Sequence, residues 1–81
     1  MQNKKGVINY YTMRNPNRLD AFYEEVKRIH KESFPDLRFG QLMYNIFSWL
    51  ANNNLKDPFY MEEDEFLSHL KEFEDEIKNN H

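Results

Sequence analysis

The groups of this chain most capable of chemistry are two clusters of carboxylates, one at residues 62–65 and one at residues 72–76. General acid–base catalysis needs two carboxyl groups held in different environments within a cleft. The run at 62–65 stands instead at the start of a predicted helix, where the helix dipole favours acidic side chains. The alternative to this structural role is an acidic docking face, made of Glu62, Glu63, Asp64, Glu65, Glu72, Asp75 and Glu76.

Metal and cofactor chemistry finds little support in the residue pattern. The three histidines, His30, His69 and His81, fall on different predicted elements, and no His-x-x-x-His or Glu-x-x-His pair places two ligands on one helix face. The chain has no cysteine and only two glycines, so thiolate ligands, thiol nucleophiles and Gly-rich phosphate loops are missing. We therefore predict a protein that is not an enzyme, with no catalytic residues, no metal, no cofactor and no small-molecule substrate.

The length of 81 residues leaves room for a single domain. A chain this short buries only about 60–65% of the surface that its unfolded form exposes, so its stability depends on large side chains. Aromatic residues make up 16% of the sequence. They can fill the core, or they can leave surplus apolar surface for a partner, and the composition is compatible with both.

Targeting signals are not evident in the sequence. The N-terminal stretch "MQNKKGVINYYTM" has lysines but no apolar core of the kind found in signal peptides. No apolar run approaches the ~18 residues of a membrane span. The expectation is a cytoplasmic protein that does not act at a membrane.

Apolar spacing predicts an all-α fold, a compact three-helix domain over residues 15–81 preceded by an extended or β-strand arm over residues 1–14. The first helix is expected to have Asn15 as its N-cap and Pro16 at its first position, and to end before Pro35. The second is expected to be capped by Asp36 and to stop at the asparagines 52–54. The third is expected over residues 62–78.

The second helix is apolar over an arc too wide for contact on one side only. Its aromatic residues could all belong to the core, or part of them could form an interface with a protein partner or with a second copy of the chain. Both alternatives stay open at this point. The candidate interface residues are Phe39, Met43, Tyr44, Phe47, Trp49, Phe59 and Tyr60.

Charge is distributed unevenly along the chain. Residues 1–38 carry eight Lys or Arg against five Asp or Glu, whereas residues 39–81 carry three against nine. Nucleic-acid binding through the third helix is disfavoured, because eight acids between 62 and 76 face only one lysine there, Lys71. A weaker version uses the arm and the first helix, with Lys4, Lys5, Arg14, Arg18, Lys27, Arg28, Lys31 and Arg38 interleaved with Tyr10, Tyr11 and Tyr23.

Two ordered motifs, "FPDLRFGQLMYNIF" at 34–47 and "DPFYMEEDEFLSHL" at 57–70, together with "RL" at 18–19, resemble the signature of a family of small, uncharacterised bacterial proteins often encoded in prophages and other mobile elements. The resemblance covers roughly residues 18–70. It implies a bacterial or phage cytosolic origin and brings no established activity with it. The arm and the acidic tail lie outside it.

A structural hypothesis for this signature is a clip between the second helix and the connection that follows it. Arg38 would bridge to Asp57 or to an acid at 62–65, while Phe59 and Tyr60 would pack over Gly40. Three functions remain in order of preference. They are a protein-interaction or self-associating module, an acidic decoy that occupies a nucleic-acid-binding host protein, and a weak nucleic-acid binder.

Overall fold

The computed structural model describes residues 14–79 of the chain. It contains three α-helices, α1 (Arg18–Ser33), α2 (Phe39–Asn52) and α3 (Glu63–Asn79), and a single 3-10 turn at Pro58–Tyr60. Within this range there is no strand, so the predicted all-α, three-helix architecture is confirmed. The predicted arm, apart from its last residue, lies outside the described residues.

The core lies on α3, which packs against both α1 and α2 in the two most extensive helix–helix contacts. Its fully buried side chains are aliphatic, and one aromatic ring, Phe73, joins them at 5% exposure. The ring of Phe73 stacks on Phe34 and meets Trp49 edge to face, with centroids 5.5 and 5.9 Å away. The buried aliphatic residues are Ile29, Leu42, Ile46, Leu50 and Leu70.

The start of α1 lies later in the chain than predicted. Residues 15–17 form a tight turn in which the Asn15 side-chain oxygen accepts from the Asn17 N–H at 2.9 Å, and the helix begins at Arg18. Asn15 is therefore a turn residue and Pro16 lies outside the helix, because the local side-chain hydrogen bond competes with helical pairing.

The N-cap of α2 is Arg38 and not Asp36. The chain makes another turn after α1, where the Leu37 N–H donates to the Phe34 carbonyl at 3.1 Å, and this turn delays the helix. The Gln41 side chain then reaches back to accept from the Arg38 N–H at 2.7 Å. The same connection is held to α1 by His30, whose ring Nε2 lies 2.7 Å from the Leu37 carbonyl oxygen.

The asparagines at 52–54 end α2 as predicted. Asn54 adopts a left-handed conformation with φ of 58°, which asparagine tolerates better than most residues. The Leu55 N–H donates to the Leu50 carbonyl at 3.0 Å, and the Asn54 N–H donates to the Ala51 carbonyl at 3.1 Å. These two bonds form a Schellman motif, which satisfies the last carbonyls of the helix and turns Leu55 toward the core.

The acidic run begins α3 as predicted, with Glu63, Asp64 and Glu65 in its first turn and Lys78 in its last. None of the helices over residues 14–79 combines the length and the apolarity that a membrane crossing requires.

Candidate protein-interaction surface

Aromatic side chains lie mainly at the surface of this domain. Six large aromatic side chains among the described residues are more than two fifths exposed, whereas the core is almost entirely aliphatic. Because aromatic residues are among the largest contributors to interface energies, this surplus is available for binding. The exposed rings belong to Tyr23, Phe39, Tyr44, Phe47, Phe59 and Tyr60.

The outer face of α2 carries most of this exposed surface. Gly40, Tyr44, Phe47 and Ala51 are all exposed, and their spacing of four, three and four residues places them in one stripe along the helix. We name these four residues the outer seam. No charged residue occurs in α2, from Phe39 to Asn52. The absence of charge is typical of the centre of an interface and unusual for a helix face in water.

Two of the predicted interface residues lie toward the core instead. Met43 and Trp49 are only partly exposed and pack against the core cluster. The indole N–H of Trp49 donates to a carboxylate oxygen of Glu76 at 3.2 Å, which ties α2 to α3. Trp49 is therefore a helix-packing residue, and the prediction holds its surface role only for the residues on the other side of α2.

The 3-10 turn after α2 adds two further aromatic rings to the same region. Asp57 caps this turn, because its carboxylate accepts from the Phe59 N–H at 2.8 Å. Phe59 and Tyr60 project outward at 75% and 70% exposure and contact each other edge to face. A groove of about 490 Å³ separates the turn from α2, lined mainly by apolar side chains: Phe47, Leu50, Ala51, Leu55, Pro58 and Phe59. The groove is continuous with the outer seam.

The hypothesis of a clip between Arg38, Gly40 and Asp57 requires correction. Nothing lies within 4 Å of the position that a Cβ would take on Gly40, so Phe59 and Tyr60 do not cover it. Asp57 caps its own turn, and among residues 14–79 no ion pair joins Arg38 to an acid. The connection is held by the Schellman motif and by burial of Leu55, which are local and apolar interactions.

The predicted acidic face is largely paired with basic residues at its α1 end. The Arg14 guanidinium donates to both carboxylate oxygens of Glu62 at 2.5 and 2.7 Å, and Arg18 donates to Glu63 at 2.8 Å. These hydrogen bonds hold the pKa of Glu62 and the pKa of Glu63 below the usual value of 4.5. Lys56 lies 3.0 Å from Glu65.

A second set of ion pairs joins the middle of α1 to α3. The Arg28 guanidinium donates to Glu25 at 3.0 Å and to Glu32 at 3.2 Å, and Lys71 lies 3.6 Å from Glu25. The hydrogen bond from Arg28 lowers the pKa of Glu25, and those from Glu25 and Glu32 raise the pKa of Arg28.

These lowered carboxyl pKa values predict how stability depends on pH. Glu25, Glu62 and Glu63 all have pKa values below 4.5 in the folded protein, so each favours folding fully above pH 4.5. That contribution is lost as the pH falls through the folded pKa values, because the protonated carboxyls no longer pair with Arg14, Arg18 or Arg28. We expect the melting temperature to fall steadily below pH 4.5, measured by circular dichroism. A melting temperature unchanged between pH 6 and pH 3 would contradict this expectation.

One acidic residue of the second cluster is buried. Glu74 is only 6% exposed, and its carboxylate accepts a short hydrogen bond from the Ser33 hydroxyl at the end of α1. Arg28 and Lys78 lie 4.0 and 3.9 Å from the same carboxylate. The sequence analysis did not single out Glu74. Its signal was its position four residues after Leu70 and one after Phe73, on the helix face that carries the core.

The remaining members of the predicted acidic face lie along the exposed side of α3. Glu72 pairs with His69, whose Nδ1 lies 2.7 Å from the Glu72 carboxylate, and Asp64 and Asp75 are exposed. The acids of α3 thus have different roles, some in ion pairs, one in the core and some on the surface. They do not form one continuous unpaired face.

The basic residues considered for nucleic-acid binding are also engaged with carboxylates. Arg14, Arg18 and Arg28 pair with glutamates as described, and Lys27 lies 3.4 Å from Glu24. Such pairing reduces the positive potential that phosphates would meet. Tyr23 remains exposed on α1, whereas Lys4, Lys5, Tyr10 and Tyr11 lie outside the described residues.

No group of three His, Asp or Glu side chains arranged to hold a metal ion occurs between residues 14 and 79. Comparison of the chain with protein-family models, with curated proteins and with solved structures found no match. The outer seam and the adjoining groove are therefore the candidate functional site on structural grounds alone.

Proposed function

We propose that this protein is a non-enzymatic protein-interaction module of the cytoplasm, of bacterial or mobile-element origin, which binds its partner through the outer seam of α2 and the adjoining groove. The observation that carries the proposal is a helix without charge whose outer face exposes Tyr44 at 72% and Phe47 at 44%. Exposed apolar surface of this kind is costly in water and is typical of a binding site.

The location of the exposed rings supports a defined surface more than a general excess of aromatic residues. Phe47 and Phe59 line the same groove from two different elements, and Tyr44 and Ala51 continue the surface along α2. An apolar partner helix or loop could contact all of them together, with Arg38 and Lys56 at the two ends as a polar rim.

The acidic decoy is the weaker alternative. A decoy needs an extended negative surface to imitate phosphates, yet Arg14, Arg18 and Lys56 each pair with an acid of the run 62–65. The pairing leaves that end of α3 close to electrically balanced. The ion pairs therefore favour the apolar surface as the binding site.

Site-specific photo-crosslinking tests the proposal. A photoreactive phenylalanine analogue at position 44 of the full chain, irradiated in producing cells, should form an adduct with a second polypeptide. The matched control is the same analogue at position 45, since Asn45 is also exposed but points about 100° away around the helix. An adduct at position 44 alone supports the proposal, whatever its mass. No adduct at position 44, or equal adducts at both positions, would refute it.

A further inference from the structure

The outer seam has the spacing of a coiled-coil contact. Gly40, Tyr44, Phe47 and Ala51 repeat at four, three and four residues, which is the a/d spacing of helices that pack side by side. The inward face of α2 has its own set of core residues, Leu42, Ile46 and Leu50. The helix therefore carries two apolar faces, and only the inner one is covered within the chain.

The order of side-chain sizes along the outer seam is the same from either end. A small residue stands at each end, Gly40 and Ala51, and two large rings, Tyr44 and Phe47, stand between them. A two-fold axis between the large residues would place each Tyr44 against Phe47 of a second copy. The same axis would place each Gly40 against Ala51, where small side chains let the backbones approach closely. Nothing lies within 4 Å of a Cβ built on Gly40, so this approach is open.

A projecting ring and a groove lie at opposite ends of the same helix. Phe39 at the first position of α2 is 62% exposed, and the groove lined by Ala51 and Phe59 adjoins its last turn. Antiparallel pairing of two copies brings each Phe39 to the groove of the other copy. Parallel pairing would leave both rings and both grooves unoccupied.

The exposed area and the charge suit a second copy. Five rings on this side, exposed by 44–75%, offer about 650 Å² at roughly 200 Å² per aromatic side chain. The neighbouring apolar residues bring the surface close to the ~800 Å² per partner of a standard interface. Since α2 has no charge, pairing it with itself opposes no like charges across the seam. The rings are Phe39, Tyr44, Phe47, Phe59 and Tyr60.

We infer that the partner of this surface is a second copy of the chain, bound as a two-fold dimer with the outer seams of the two α2 helices antiparallel. This inference rests on the proposed function and specifies its partner.

Cysteine pairs test both the dimer and its direction, because the natural chain has no cysteine. Gly40→Cys and Ala51→Cys are both exposed substitutions that fill open space. In the antiparallel dimer the two copies of residue 40 are eleven residues apart along the axis, about 16 Å, which a disulfide cannot span. Residue 40 of one copy instead faces residue 51 of the other.

The expected result is a disulfide-linked species of twice the 10.0 kDa chain mass when the two variants are mixed and oxidised, with at least tenfold less in either variant alone. Strong linkage of Gly40→Cys alone would indicate a parallel pair and overturn the inference. A monomer mass by light scattering across a dilution series from 500 to 5 µM, with no linkage in the mixture, would also overturn it. In that case a photo-crosslink at position 44 to a different polypeptide would still support the proposed function.

Glutamate substitutions give an independent control on the surface used. Tyr44→Glu on the outer seam should convert the dimer to monomer. Tyr23→Glu, equally an exposed tyrosine but on α1, should leave the dimer mass unchanged. Dissociation by Tyr23→Glu, with Tyr44→Glu still dimeric, would place the interface elsewhere and refute the inference.

Discussion

Replacing Phe73 with alanine is expected to lower the free energy of unfolding by about 3–5 kcal/mol, the usual cost of removing a buried aromatic ring. Phe73 is 5% exposed and contacts Phe34 and Trp49, so its loss opens a cavity where all three helical regions meet. For a domain of this size each kcal/mol corresponds to roughly 4–8 °C, so the melting temperature should fall by about 15–30 °C. Thermal unfolding followed by circular dichroism measures the change.

The matched control is Phe47→Ala, the same substitution on the outer seam. Phe47 is 44% exposed, and burial of part of its ring against Phe66 predicts a loss of only about 1 kcal/mol. Both variants should be compared at a concentration low enough to keep the protein monomeric. If Phe47→Ala costs as much as Phe73→Ala, the outer seam is part of the folded core, and the proposed binding surface is wrong.

Reversing the charge of Glu74 is the second change with a large expected effect. Glu74→Lys would place an ammonium group in a buried position with Arg28 and Lys78 nearby, where Glu74 now lies 4.0 and 3.9 Å from them. A buried charge without a partner costs about 3–5 kcal/mol. We expect the variant to be largely unfolded near 37 °C, as measured by urea denaturation and circular dichroism.

Two comparison variants separate charge from shape. Glu72→Lys makes the same reversal on the exposed side of α3 and should change stability by less than about 0.5 kcal/mol. Glu74→Leu removes the charge but keeps an apolar group of similar size, and buried ion pairs replaced in this way are often no less stable. Equal stabilities for Glu74→Lys and Glu72→Lys would contradict the buried position of Glu74.

The helices were predictable from the sequence because their signals are local. The apolar positions of α1 and α3 recur at helical spacing, and Asn54 marks the end of α2 by its own conformational tolerance. The first residues of α1 and α2 were less predictable. Several candidate caps stand close together in "NPN" and "PDLR", and the turns that choose between them depend on tertiary packing.

The surface could be predicted in composition but not in detail. The wide apolar arc of α2 indicates contact on more than one side, yet it does not say which side faces α3. For this reason Trp49 was grouped with Tyr44, although the two point in different directions. The ion pairs of Arg14 with Glu62 and Arg18 with Glu63 join residues more than 40 positions apart, and no local pattern reports such pairs.

The dependence of both other helices on α3 has a consequence for biosynthesis. Since α1 and α2 make their main contacts with the helix synthesised last, the aliphatic residues of α1 and α2 have no partner while the ribosome is still adding residues 63–79. The nascent chain thus carries the outer seam and the uncovered core face of α2 together. Folding waits for translation of α3, and until then the emerging polypeptide is a substrate for chaperones that bind short apolar segments.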